Sequence, residues 1–409
     1  MHKILFSFLF VFITFAQPQK VKVGADVLIE NKIEILSGKT IGVITNHTAI
    51  LSNKNHLIDE LAKIENIKIK FLFAPEHGIR GVASAGEKIS NTIDEETGIP
   101  IVSLYGSLRK PTAEMLVGID VLVFDIQDVG ARFYTYLSTM ILSMEAAAEN
   151  KIKFIVLDRP NPIRGIKVDG PIRVDSLKSF VGQIPIPIMH AMTYGEIASM
   201  ANEMGWLENK LKVDLEIIKI EGWRRAIWFD ETILNWTSPS PNIKTINSAI
   251  VYPGTCLFEA TNISEGRGTL NPFEIIGAPW LNSEELINNL IKLNLHGVMF
   301  KSIKFVPKEN SGAKNPKYNF EECNGIFIEV TNRNIFEPIT TAIAMLIEIQ
   351  KLNPNEFKIN ESYFNKLIGN GLVVKEILKG NNYKKIVNGW QKEIKKFTIE
   401  RKKYLIYND

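Results

Sequence analysis

Apolar and polar positions alternate along this chain in blocks. Residues 39–45 (KTIGVIT), 67–74 (IKIKFLFA), 101–104, 121–124 and 153–157 (KFIVL) are short runs rich in β-branched and aromatic side chains. Runs of this length and character predict strands of a parallel sheet, buried on both faces. Residues 57–63 and 138–150 between them carry a helical pattern, the second rich in Ala and Met. Repeated strand–helix alternation predicts an α/β fold, a Rossmann-like parallel sheet with helices on both faces. Further on, 298–305 and 325–330 read as strands and 339–352 as a strongly apolar helix. Residues 384–406 read as one charged amphipathic helix with Trp390 and Phe397 on its inner face. These elements predict a smaller α/β (α+β) C-terminal domain, which divides the chain into domains at 21–250 and 251–409.

The first residues have a different pattern. Met1-His2-Lys3 is a short basic start, Ile4 to Phe15 is apolar, and Thr14-Phe15-Ala16 precedes Gln17. This predicts a signal peptide at 1–16 and an exported protein, periplasmic or secreted. The apolar run is short for a membrane span, and no later run is long enough. No cysteine follows the cleavage site, which argues against a lipoprotein.

Composition narrows the class. The chain has 409 residues, 45% hydrophobic and 23% charged, with a formal net charge of +3. Charge so near balance argues against a nucleic-acid partner. Cys256 and Cys323 make no disulfide framework, and a single bridge or two buried thiols both fit. No GxGxxG or GxxxxGK[ST] follows any predicted strand, so a nucleotide cofactor has no support.

The chemistry gathers at the strand ends. Asn46 and His47 follow one strand, and Glu76, His77 and Arg80 follow the next. Asp125, Gln127 and Asp128 follow another, then Arg132, Phe133, Tyr134 and Tyr136; Asp158, Arg159 and Asn161 follow the last. Consecutive parallel strands place such turns along one edge of the sheet, where open α/β sheets bind ligands. Glu76 sits in a turn constrained by Pro75, Gly78 and Gly81, and a carboxyl held there under apolar walls suits a general acid. His77 either orients it or binds substrate. A metal site from Glu76, His77 and Asp125 matches no known ligand spacing.

Two later blocks add candidates. In 180–196, Thr193 and Glu196 have capping-box spacing, and His190 either lines the site or packs in the core. Trp223, Trp228 and Trp236 are either sugar-stacking platforms or core. Residues 252–280 show little regular period yet are dense in Gly, Asn, Glu and Arg, and long irregular segments in compact proteins are usually functional. There Glu265 is a second candidate catalytic carboxylate, with Glu259, Asn262 and Arg267 as candidate ligand contacts. The polar loop 308–317 touches either substrate or nothing.

The motifs NHT at 46–48, FAPEHGIRG at 73–81, FDIQDVGARFYTY at 124–136, DRPNP at 158–162, PSPN at 239–242 and TNISEGRGT at 261–269 together resemble the DUF1343 family of NamZ-type exo-β-N-acetylmuramidases. The resemblance runs from about residue 21 to the C-terminus. It implies a glycoside hydrolase that releases terminal N-acetylmuramic acid from the non-reducing end of peptidoglycan fragments. It also implies a Rossmann-like domain without a nucleotide and an active site in the cleft between the two domains. One departure is His190-Ala191-Met192-Thr193, where the family pattern has His-Gly-Met-Thr.

On this reading Glu76, Glu265 and Asp125 are the candidate catalytic carboxylates. Asn46, His77, Arg80, Gln127, Asp128, Arg132, Tyr134, Asn161, His190, Asn262 and Arg267 are the candidate substrate contacts, with no metal and no cofactor. Muramic acid carries a lactyl carboxylate, for which Arg132, Arg80 and Arg267 are the candidate partners. The alternatives are a non-catalytic binder of wall sugars or muropeptides and a metal-dependent esterase or deacetylase.

Overall fold

The computed structural model describes residues 20–81 and 92–409. The predicted signal peptide lies outside the described residues. Among those described, no helix is long and apolar enough to cross a membrane.

Seven strands form one sheet: β1 Thr40–Thr45, β2 Lys68–Ala74, β3 Thr92–Ile93, β4 Pro100–Ser103, β5 Val121–Asp125, β6 Lys153–Leu157 and β7 Leu215–Ile218. Their spatial order is β3-β4-β2-β1-β5-β6-β7. All neighbours are parallel except β3, a short antiparallel edge. The chain builds outward from β1 on one side, then returns to lay β5, β6 and β7 on the other. The expected Rossmann-like sheet is therefore present. β3 and β7 are additions that the pattern reading missed; β7 holds only four residues, three of them half-buried.

The period of two along the strands divides the core. Leu122 and Phe124 of β5, with Phe154 and Val156 of β6, face one side. Val121, Val123, Ile155 and Leu157 face the other, against Leu28, Leu57 and Ile58. The first side is continuous with the core of the C-terminal half, including Phe258, Ile339 and Trp390. The two halves therefore share one hydrophobic interior.

The C-terminal half holds a three-stranded antiparallel sheet of β8 Ile275–Ala278, β9 Val298–Phe305 and β10 Cys323–Val330, in the order β8-β10-β9. Helix Ile246–Thr255 crosses the expected 250/251 boundary and packs on helix Pro338–Leu352. Gly254 permits this approach, because a Cβ there would stand 2.0 Å from the Pro338 carbonyl oxygen. Residues 252–280 are thus more regular than expected. Pro253 lies inside the last turn of this helix, and after Thr255 the chain tightens into a 3-10 turn at Cys256–Ala260. The expected helix at 384–406 is broken into Tyr383–Asn388, Gln391–Arg401 and a 3-10 turn. Trp390 lies at the break and is buried, and Phe397 is buried as expected. Cys256 and Cys323 are both buried free thiols.

The last residues return to the first sheet. Tyr407 donates its hydroxyl to Asp158 (2.6 Å) and accepts from the Ile220 amide (3.0 Å). The Ile406 amide donates to Glu196, and the Arg225 amide donates to the Asn408 carbonyl. The tail is therefore part of the N-terminal half's core packing. Tyr407→Phe leaves the Ile220 donor and an Asp158 oxygen short of partners, at an expected cost of about 1–3 kcal/mol. Urea unfolding measures this, and an unchanged midpoint would show that the Tyr407 hydroxyl contributes nothing.

Candidate active site

The site begins at the carboxyl end of β2. Residues 75–78 turn sharply there: His77 has φ +73° and Gly78 φ +76°. A non-glycine residue in that region stores strain, and such residues cluster at functional sites. Glu76 is held from the helix that follows β5. The Thr135 hydroxyl donates to Glu76 Oε2 at 3.3 Å, and Tyr105, just past β4, is near enough for the Glu76 charge to act on its hydroxyl. Burial first, and then the Glu76 charge, push the Tyr105 pKa up, so this phenol stays a donor.

These groups open onto a cavity of about 480 Å³, within the range of small-ligand sites. Its N-terminal wall is Glu76, His77, Tyr105, Arg109, Tyr134 and Phe180. Its C-terminal wall is Tyr252, Glu259, Arg267, Phe273, Lys314 and Tyr363. The cavity therefore lies between the two halves, as the resemblance implies. Its aromatic lining is locked by edge contacts, with Tyr134 against Tyr136 (4.8 Å) and Tyr252 against Phe273 (4.8 Å).

The facing carboxylate is Glu259. It accepts from Arg267 Nη2 at 2.6 Å and from the Tyr363 hydroxyl at 3.0 Å. Burial alone would lower the Arg267 pKa, but the charges of Glu259 and Glu265 outweigh it and raise it. Arg267 stays a cation committed to those acids.

Four of the expected site residues line this cavity: Glu76, His77, Tyr134 and Arg267. The others lie off this lining. Glu265 lies beneath the wall, buried between Arg267 (3.4 Å) and Lys317 (2.8 Å). Asp125 is fully buried in a bidentate pair with Arg159, at 2.5 and 2.9 Å. Asn46 folds its own turn by accepting from Thr48, and Gln127 donates to the Asp128 and Pro160 carbonyls. Asn161 is a buried turn residue on Met192 and Ile163. Asn262 bridges the Glu356 carbonyl and the Lys358 amide. Arg80 is held by Asp59 and Asp94.

Arg132 is fully buried and donates to three backbone carbonyls. Burial, reinforced by Arg173, pulls its pKa down to about 9. His190 is also fully buried; its Nδ1 accepts from the Met192 amide and its Nε2 stands 3.5 Å from Asp128. Burial lowers the His190 pKa to about 3 and raises that of Asp128 to about 6.

Among the described residues no group of three or more His, Cys, Asp or Glu is placed to hold a metal. Trp223 and Trp228 are buried core, and Trp236 packs on Phe229. The aromatic walls are tyrosines and phenylalanines instead. The Thr193–Glu196 capping box is present, and Glu196 also pairs with Arg225. Ala191, where the family pattern has Gly, keeps the left-handed backbone at φ +52°. Its carbonyl accepts from both Arg225 and Arg401, contacts that hold the strained conformation.

The sequence reading missed Tyr105, Arg109, Phe180 and Tyr363 as lining residues. Tyr105 and Arg109 follow the end of β4, so the strand-end logic that found Glu76 reaches them too. Tyr363 sits on helix Glu361–Ile368, far away in sequence, and no local signal points to it.

A Rossmann-like sheet joined to a smaller antiparallel module, with carboxylates and aromatics facing each other across the joint, defines an α/β protein built to hold a polar, ring-shaped ligand. The chain belongs to the exo-β-N-acetylmuramidase NamZ family: its N-terminal model matches residues 41–247 and its C-terminal model residues 250–407. The chain is 45% identical over 393 residues to the peptidoglycan β-N-acetylmuramidase NamZ of Bacillus subtilis, covering 96% of this chain and 92% of that one. Crystal structures of two DUF1343 family proteins from Bacteroides fragilis share the fold. Their TM-scores are 0.88 and 0.79, each at 34% identity over 95% of this chain and 99% of the other.

Proposed function

We infer that this chain is an exo-acting glycoside hydrolase that releases terminal N-acetylmuramic acid from the non-reducing end of peptidoglycan fragments. The observation that carries this is Glu76, held in a strained turn by Thr135, lining the same aromatic-walled cavity as Glu259. The near full-length identity to a peptidoglycan β-N-acetylmuramidase supports it.

Glycosidases use one carboxyl as an acid and a second carboxylate on the other side of the scissile bond. Here Glu76 gives its proton to the departing glycosidic oxygen as the C1–O bond breaks. The Glu259 carboxylate, fixed by Arg267 and Tyr363, meets the positive charge that develops on the sugar ring. Water completes the reaction at C1 and its proton restores the acid. Glu259 takes the second-carboxylate place that the sequence reading gave to Glu265 or Asp125.

The test is directional. A disaccharide with N-acetylmuramic acid at the non-reducing end yields both free sugars, read by chromatography. The disaccharide of reversed order, with N-acetylglucosamine at that end, stays intact. Cleavage of the reversed disaccharide, or of neither, would overturn the reading.

A further inference from the structure

Among the described residues, three cations line the cleft: Arg109, Arg267 and Lys314. A muramic-acid substrate brings a carboxylate that must meet one of them, since a desolvated anion without a partner is costly. Arg267 has no charge to spare, because Glu259 and Glu265 already hold it. Lys314 has an interaction of its own within the protein. Arg80 and Arg132 do not reach the cavity.

Arg109 is different. It is exposed at the cleft wall and its guanidinium lies 4.5 Å from the centre of the Phe180 ring. Its Nε donates to the Gly106 carbonyl at 3.2 Å. Stacking and that bond fix the plane of the fork while leaving both terminal nitrogens off any carboxylate among the described residues. A planar fork on an aromatic face is preorganised for bidentate carboxylate binding. Arg109 is also close enough to Tyr105, a phenol that feels the Glu76 charge as well, for its own charge to act there. The cation thus lies on the same side of the cavity as the proposed acid. The lactyl group likewise sits on the sugar ring whose C1–O bond is cleaved.

We propose that Arg109, held flat by Phe180, is the specificity residue that grips the lactyl carboxylate of the terminal muramic acid. This rests on the muramidase reading and names the group that makes the enzyme prefer muramic acid to an uncharged hexosamine. Losing a charge-assisted pair of hydrogen bonds costs about 10- to 100-fold in kcat/KM.

The experiment compares wild type, Arg109→Ala and Arg109→Lys. Each is assayed on the 4-nitrophenyl β-glycoside of N-acetylmuramic acid and on the same glycoside with the lactyl carboxylate turned into a carboxamide. Wild type prefers the acid. Arg109→Ala loses about 10- to 100-fold on the acid, carried mainly by KM, and changes little on the amide; Arg109→Lys falls between. Equal loss on both substrates, or loss on neither, would overturn the proposal. If wild type hydrolyses neither glycoside, the muramidase reading fails instead. Calorimetric binding of free N-acetylmuramic acid and its amide then decides for Arg109 alone. A preference for the acid that vanishes in Arg109→Ala supports it, and equal affinities in both proteins overturn it.

Discussion

Glu76→Gln lowers turnover of a muramic-acid glycoside with a poor leaving group, such as the natural disaccharide, by about 10²–10⁴-fold, the usual contribution of a positioned general acid. On a 4-nitrophenyl glycoside, whose leaving group departs without protonation, the loss is far smaller. The reason is chemical. Glutamine keeps the shape of the side chain and can still accept from Thr135, but it has no proton to give to a sugar oxygen. Steady-state kinetics on the two substrates separates this from general damage. A variant that is near wild type on both would show that the acid lies elsewhere, and Glu259 would be the next carboxyl to change. A variant equally poor on both would show that Glu76 shapes the cleft without transferring the proton.

Arg132→Ala should be the most destabilising single change in the family motifs, by about 3–5 kcal/mol. The guanidinium holds the carbonyls of Pro171 (2.8 Å) and Ile186 (2.9 Å) in the N-terminal half and Leu367 (2.6 Å) in the C-terminal half. Alanine strands all three and opens a cavity where the halves meet. Gly369, at φ +79°, makes room for this arginine, since a Cβ there would stand 2.7 Å from its Nη2. Urea unfolding measures the cost. The preference of the folded variant for the acid over the amide glycoside should be unchanged, in contrast to Arg109→Ala. A variant with wild-type stability and no preference would restore Arg132 as a substrate ligand.

These two arginines show where sequence reading stops. Arg132 stands in the motif with the densest polar chemistry, beside Asp125, Gln127 and Asp128, and all four are buried and off the cavity lining. The strands behind them were legible, because burial on both faces demands unbroken apolar runs. So was the Glu76 turn, because Pro, His and Gly in succession allow little but a sharp bend. The edge strands β3 and β7 were not, being too short to carry a period of their own. Helix Ile246–Thr255 was hidden by Pro253 and Gly254, residues that weaken a helical pattern and are tolerated here by tertiary packing.

By itself the sequence determined the main sheet strands, the α/β class, the sheet edge where polar turns gather and the family. Each of these depends on residues close together in the chain or on the whole set of motifs at once. Only the tertiary structure decided which polar residues line the cleft. Asp125 is consumed by Arg159, 34 residues on, and Arg132 by Leu367, 235 residues on. A charge's partner is set by what packs against it in space, and the cleft exists only where the two halves of the chain meet.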